Sequence, residues 1–145
     1  MIEGADYTRV SWNELGDFPS PTGETLDLRV YSLALGCDQL AFSVGKLEPG
    51  EYCDHHQHEE CEEVYVLMSG TSEIRIGEGS LQAEQFDAFR IPPGVNHSVY
   101  NNSDSTCWWL FMCAPNEEFL DYFTPGWRER AVPVSRGVGP VQPKR

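Results

Sequence analysis

The sequence predicts an all-β domain, an antiparallel barrel or sandwich with one short C-terminal helix. Three observations predict it. Eight or more short runs either alternate apolar with polar side chains or are rich in β-branched and aromatic residues, as half-buried and buried strands are. Gly, Pro and Asn clusters separate these runs at short intervals, the spacing of a sandwich or barrel. A helical pattern is confined to a single segment near the C-terminus.

Each element follows in order. "LDLRVYSL" (26–33) alternates as a strand, and "QLAFSV" (39–44) does so with Leu40, Phe42 and Val44 on one face. "EPGE" (48–51) is a Pro-Gly turn. "VYVLM" (64–68) is β-branched and aromatic and stops at Gly70. "SEIRI" (72–76) sets Ile74 and Ile76 on one face, and "GEG" (77–79) signals a hairpin. "AFRI" (88–91) runs into the turn "PPG" (92–94), "HSVY" (97–100) is a short strand, and "CWWLFM" (107–112) is wholly apolar. Alternation sends Trp109, Phe111 and Cys113 to one side and Trp108, Leu110 and Met112 to the other. "NEEFLDYF" (116–123) follows Pro115 with acids in its first turn, as a helix start prefers. The reading is one barrel domain over residues 1–127 and a Pro/Gly-containing basic tail over 128–145.

With 145 residues, 40% of them hydrophobic, a chain can bury roughly 70% of its unfolded surface without disulfide staples. Its formal net charge is −13, which argues against nucleic acid and anionic lipid as partners. The charge is unevenly spread. Residues 128–145 hold five positive charges and one negative, net +4, whereas the other 127 residues hold five positive against 22 negative, net −17. The N-terminus lacks the apolar segment of a signal peptide, and no apolar run is long enough to cross a bilayer. Five cysteines, Cys37, Cys53, Cys61, Cys107 and Cys113, are an odd number in a chain that is not disulfide-dense. A reducing, cytoplasmic setting with free thiols is expected.

The chemistry concentrates in "CDHHQHEECEEVY" (53–65), which carries three of the four histidines. His56 and His58 are two apart, so on a strand they share a face and together can grip one metal ion. Glu63 follows after enough chain for a turn, and the fourth histidine, His97, stands just beyond the "PPG" turn.

That arrangement resembles the cupin family. Its first motif, G-x5-H-x-H-x4-E-x6-G, is met at Gly50, His56, His58, Glu63 and Gly70. Its second, G-x5-P-x-G-x2-H-x3-N, is met at Pro92, Gly94, His97 and Asn101, with Phe86 in place of the opening glycine. That departure is expected to alter a turn and the rim, but not the ligands. Six matched positions besides the histidines make the signal specific, where a lone HxH would be weak. The resemblance implies a double-stranded β-helix, or jelly roll, with a metal inside the barrel. It implies His56, His58, Glu63 and His97 as ligands of one divalent transition metal ion, with positions left open for substrate or dioxygen. Iron is favoured, and Mn, Ni, Co or Zn also suit such a mixed nitrogen and oxygen set.

Neighbouring residues have blander readings. Glu62 is an alternative to Glu63, and only one of the two can face inward. His55 is expected to point away, and Glu59 and Glu60 to form a solvated turn. Cys53 and Cys61 bracket the cluster, but a free cysteine is commonly a small buried hydrophobe. Tyr52 and Tyr65 are candidate donors behind the ligands, although tyrosines in strands often only pack. No P-loop, dinucleotide fingerprint or Ser-His-Asp pattern occurs. The expected function is a metal-dependent enzyme on a small organic molecule, with dioxygenase chemistry at iron favoured. Lewis-acid chemistry (isomerase, lyase or polyketide cyclase) and non-catalytic ligand binding are the rivals. A homodimer formed through apolar sheet surface is also expected, because pairing covers edge strands.

Overall fold

The computed structural model describes residues 6–19, 27–115 and 132–133. Its strands are β1 (Gly16–Pro19), β2 (Asp27–Val30), β3 (Ala41–Leu47), β4 (Tyr52–His56), β5 (Glu62–Ser69), β6 (Ser72–Ile76), β7 (Gly79–Ala83), β8 (Ala88–Ile91), β9 (His97–Tyr100), β10 (Cys107–Ala114) and β11 (Val132–Pro133). They form a seven-stranded sheet, ordered β11-β1-β2-β3-β10-β5-β8, and a four-stranded sheet, ordered β4-β9-β6-β7. Every pairing is antiparallel. The two sheets face each other across one core, the double-sheet jelly roll that the motifs imply.

Alternation builds that core. On β5, Glu63, Tyr65 and Leu67 turn inward; on β10, Cys107, Trp109, Phe111 and Cys113 do. Leu67 and Trp109 are fully buried, and Ile74, Ile91 and Val99 close the core from the neighbouring strands. The apolar side of β3, by contrast, is its outer face. Phe42 and Val44 are half-buried there, while Ala41, Ser43, Gly45 and Leu47 face the core. The strand register supplies the reason. Ala41, Ser43 and Gly45 lie opposite Cys113, Phe111 and Trp109, so small residues sit beside large rings on a surface that must fill without voids. Phe42 stacks instead on Tyr31, with ring centroids 5.2 Å apart. Beside them Trp12 meets Trp108 edge-on, and the Arg29 guanidinium lies 4.0 Å from the Trp12 ring centroid, a cation–π contact.

The segment read as one strand over 26–33 divides. β2 ends at Val30, and a short helix, α1 (Tyr31–Leu35), follows. Gly36 at φ +72° and a bond from the Cys37 N–H to the Ser32 carbonyl close it, a left-handed ending suited to glycine. The "GEG" hairpin forms as expected, joining β6 to β7. The helix expected over 116–123 lies outside the described residues. So does most of the tail, apart from Val132 and Pro133, which pair with Asp17 and Gly16.

Both motifs also have structural work to do. A side chain at Gly70 would come within 2.9 Å of the Thr106 carbonyl, so the first motif ends where two strands nearly touch. Asn101, fully buried, donates to the Leu47 and Ser105 carbonyls, both at 2.8 Å. Phe86 adopts φ +71° with its ring 67% exposed. Its backbone therefore sits in the region glycine favours, and the Phe86 N–H still bonds Leu67 at 2.6 Å. Substituting the motif's glycine leaves the turn closed and places a phenyl ring in solvent. A side chain in that region costs about 1–2 kcal/mol.

Candidate metal centre

Four elements deliver the expected residues to one point. β4 brings His56, the loop after it His58, β5 Glu63, and the start of β9 His97. One donor atom from each lies within 4.8 Å of the other three. The imidazole centroids are 4.3 Å apart for His56 and His97, 5.1 Å for His56 and His58, and 5.9 Å for His58 and His97. His58, Glu63 and His97 are buried, and His56 is half-buried.

His56 and His58 converge by a different route from simple strand alternation, because β4 ends at His56. The ladder to β9 pairs Cys53 with Val99 and His56 with His97, so residues 54 and 55 together oppose Ser98. Such a bulge re-aims side chains. It turns both Cys53 and His56 inward and leaves His55 exposed. His58 then enters from the loop, where its carbonyl accepts the Gly94 N–H at 2.7 Å. That bond clips the first motif to the turn of the second.

The two candidate carboxylates separate cleanly. Glu63 points into the cluster. Glu62, exposed on the opposite face, pairs with Arg90 outside the barrel. Glu59 and Glu60 are exposed, as expected. Cys53 and Cys61 are buried thiols outside the four-donor group. The Cys53 sulfur lies 3.9 Å from His56 Nδ1. The Cys61 thiol bonds the Pro115 carbonyl.

The electrostatics suit a cation. Burial pushes the Glu63 carboxyl up, but contacts with His58 and His97 outweigh it and hold the group at about 2. Glu63 Oε1 meets His58 Nε2 at 2.8 Å. Its Oε2 stands 2.9 Å from His97 Nε2, close enough to pair, yet the two atoms are not aligned as donor and acceptor. On the other side of the His97 ring, Nδ1 faces the Val95 carbonyl at 2.8 Å, which can only accept, so Nδ1 carries a hydrogen and Nε2 is the ring nitrogen turned to the cluster. His97 Nε2 and Glu63 Oε2 are thus both buried without an aligned hydrogen-bond partner, and buried polar atoms left in that state suit an ion that both can ligate. The donor set and this orphaned pair both fit a metal ion.

Two neighbours escaped a firm reading from sequence. One is the Val95 carbonyl, which carries no side-chain signal. The other is Tyr65, a buried phenol two residues beyond Glu63 on the inner face of β5, whose acidity burial, and then the Glu63 charge, lowers well below that of a free phenol.

Fold and site together define a small antiparallel jelly roll built around a three-histidine, one-carboxylate cluster. Residues 43–113 match the cupin domain family, and the chain carries a small cupin domain. No curated protein is close enough in sequence to count as a relative. Solved structures share the fold. A sugar phosphate isomerase of the cupin superfamily from Silicibacter pomeroyi is 19% identical with a TM-score of 0.59, over 64% of this chain and 61% of its own. A predicted oxalate decarboxylase from Thermotoga maritima is 18% identical with a TM-score of 0.65, over 74% of this chain and 99% of its own. The polyketide cyclase RemF from Streptomyces resistomycificus is also 18% identical with a TM-score of 0.65, over 74% of this chain and 78% of its own. Among the described residues, no helix is long and apolar enough to cross a membrane.

Proposed function

We propose that this cupin is a metal-dependent enzyme acting on a small organic molecule, with oxygenation at iron as its leading chemistry. The observation that carries the proposal is the convergence of four donors, one atom each from His56, His58, Glu63 and His97 within 4.8 Å of one another, with His97 Nε2 and Glu63 Oε2 buried and lacking an aligned hydrogen-bond partner. His56, His58, Glu63 and His97 would hold one divalent transition metal ion. Three neutral imidazoles and one carboxylate leave such an ion net positive, and a mixed nitrogen and oxygen set suits iron. When bound, the ion supplies Lewis acidity and open positions for an organic oxygen or dioxygen. The chain's own residues do the rest. Glu63 stays ionised down to about pH 2. The Val95 carbonyl fixes the His97 tautomer. Buried Tyr65, Trp109 and Phe111 line the core beside the cluster and exclude water.

A second reading is Lewis-acid catalysis without oxygen. It is favoured by the structural neighbours, which by name include an isomerase and a cyclase. Metal analysis of natively purified protein, followed by oxygen uptake of the Fe(II)-loaded form with catechols, flavonols and thiols, separates the two. Iron with substrate-dependent uptake supports oxygenation. Zinc with no uptake, together with turnover of an enolisable ketone, replaces it with the second reading. Metal-free native protein that gains no activity with any of these ions overturns both.

A further inference from the structure

The face of the four-stranded sheet turned away from the cluster carries a groove of about 260 Å³. Strand register assembles its walls. Tyr52 on β4 lies opposite Tyr100 on β9, and Ser98 on β9 lies opposite Arg75 on β6. Directly opposed residues share a face, as do residues two apart on one strand. These four therefore project outward, whereas His97 and Val99 project into the core. The bulge in β4 adds His55, exposed and across from Ser98. We propose that this groove binds a small planar organic anion of the aromatic carboxylate class. It lies across the sheet from the four donors and does not depend on an ion there.

The lining selects such a ligand. Every polar group among the described side chains that line the groove can donate a hydrogen bond, and none is a carboxylate. In a chain of net charge −13, that is a local reversal. Arg75 supplies the positive charge. Its Nε is bonded to Glu73 at 2.5 Å, which uses one of five donors and holds the plane of the guanidinium. The terminal nitrogens are left to meet a second carboxylate side by side. Glu73 offsets part of the charge, so affinity is modest. The Ser98 and Tyr100 hydroxyls and the His55 ring have no hydrogen-bond partner among the described residues. Tyr52 and Tyr100, 37% and 41% exposed, offer ring faces that only a flat apolar group can use. Size follows from volume. Pockets for drug-sized molecules run from about 300 to 1,000 Å³, so this groove takes a single ring with its substituents rather than a nucleotide or a peptide.

Benzoate is the probe, titrated into the full chain in zinc-containing buffer and followed by two-dimensional NMR. The amide signals of Tyr52, His55, Arg75, Ser98 and Tyr100 should move together, with a dissociation constant on the order of 1 mM. Arg75→Gln disturbs only an exposed ion pair and should weaken binding roughly tenfold. Arg75→Lys should recover little of that loss, because an ammonium lacks the planar fork. Benzamide, which lacks the charge, and acetate, which lacks the ring, should each bind about fivefold more weakly or worse. No movement of these signals at about 20 mM benzoate overturns the proposal. Unchanged affinity in Arg75→Gln does so too, and movement of the His56 and His97 signals instead would place the anion at the metal centre. Equal binding of benzamide would remove the role of the charge, and equal binding of acetate or inorganic phosphate that of the rings. Either result overturns the assignment of ligand class.

Discussion

β4 and β5 both bring donors to the same cluster, and they do so by opposite means. β5 is regular over its inner half. Glu62 and Glu63 are adjacent, and the two-residue period sends one to Arg90 at the surface and the other into the barrel. β4 breaks that period. Two residues of β4 oppose one of β9, which turns His56 inward and His55 outward, and the next ligand, His58, comes from beyond the strand's end. A regular strand selects a ligand by parity. A bulged one selects by local backbone geometry, which sequence parity does not report.

The strongest way to break this comparison is to remove ligands on the irregular side. His56→Ala and His58→Ala should each lower bound metal by more than about tenfold, as measured by elemental analysis after dialysis, because each takes a donor from a four-donor set. His55→Ala should keep the metal, since His55 is exposed. If His55→Ala loses metal and His58→Ala keeps it, the bulge has been placed wrongly.

Chelation comes next in size. An ion bound only by the folded state adds about 4 kcal/mol at a thousand times its dissociation constant, so a chelator should lower the melting temperature by several degrees. The metal-free chain should still melt cooperatively, because Leu67, Trp109, Ile74 and Val99 form a core that does not include the cluster's donors. Complete unfolding on chelation would make the site a structural one.

The regular side is sharpened by acid. Glu63 is held at about 2 in the metal-free fold, below its usual value of 4.5. Its ionised form therefore stabilises the protein in full above about pH 4.5, and that support drains away as the pH falls toward 2. Glu63→Gln should flatten this part of the metal-free stability curve by an amount on the order of 3 kcal/mol, read by denaturant melts across pH 2–6. Glu62→Gln should leave the curve's shape intact and change stability by no more than about 0.5 kcal/mol, since exposed ion pairs contribute little. Equal effects of the two substitutions would erase the distinction by parity.

The regular parts of the molecule were legible in its sequence. β6, β8 and β9 begin and end at the expected residues, because each is short and bounded by Gly, Pro or Asn. Alternation also sorted β10 into its two sides, and the structure shows that Trp109, Phe111 and Cys113 are the inward one. What escaped was set by context. The polarity of β3 is inverted because its inner side faces Trp109 and Phe111, which leave room only for small neighbours. α1 was hidden in a run that alternates like a strand, and the Gly36 that ends it signals a helix only once the helix is recognised. The four candidate ligands were legible through the match to the two cupin motifs, with Glu62 left as an alternative to Glu63, and the structure gathers His56, His58, Glu63 and His97. The Val95 carbonyl behind His97 was not, because a main-chain oxygen leaves no mark in a list of side chains.

The bulge in β4 also sets how this strand responds to a change in chain length. A ladder with a single residue opposite Ser98 would place Cys53 inward, the next residue outward and His56 inward again. Deleting His55 should therefore restore even pairing and leave His56 across from His97. β5 has no such slack. Deleting Val64 would shift Glu63 by one place against Tyr65 and turn it to the outer face. A shortened β4 is the tolerable error, and a shortened β5 is the fatal one, although both strands end at the same four donors.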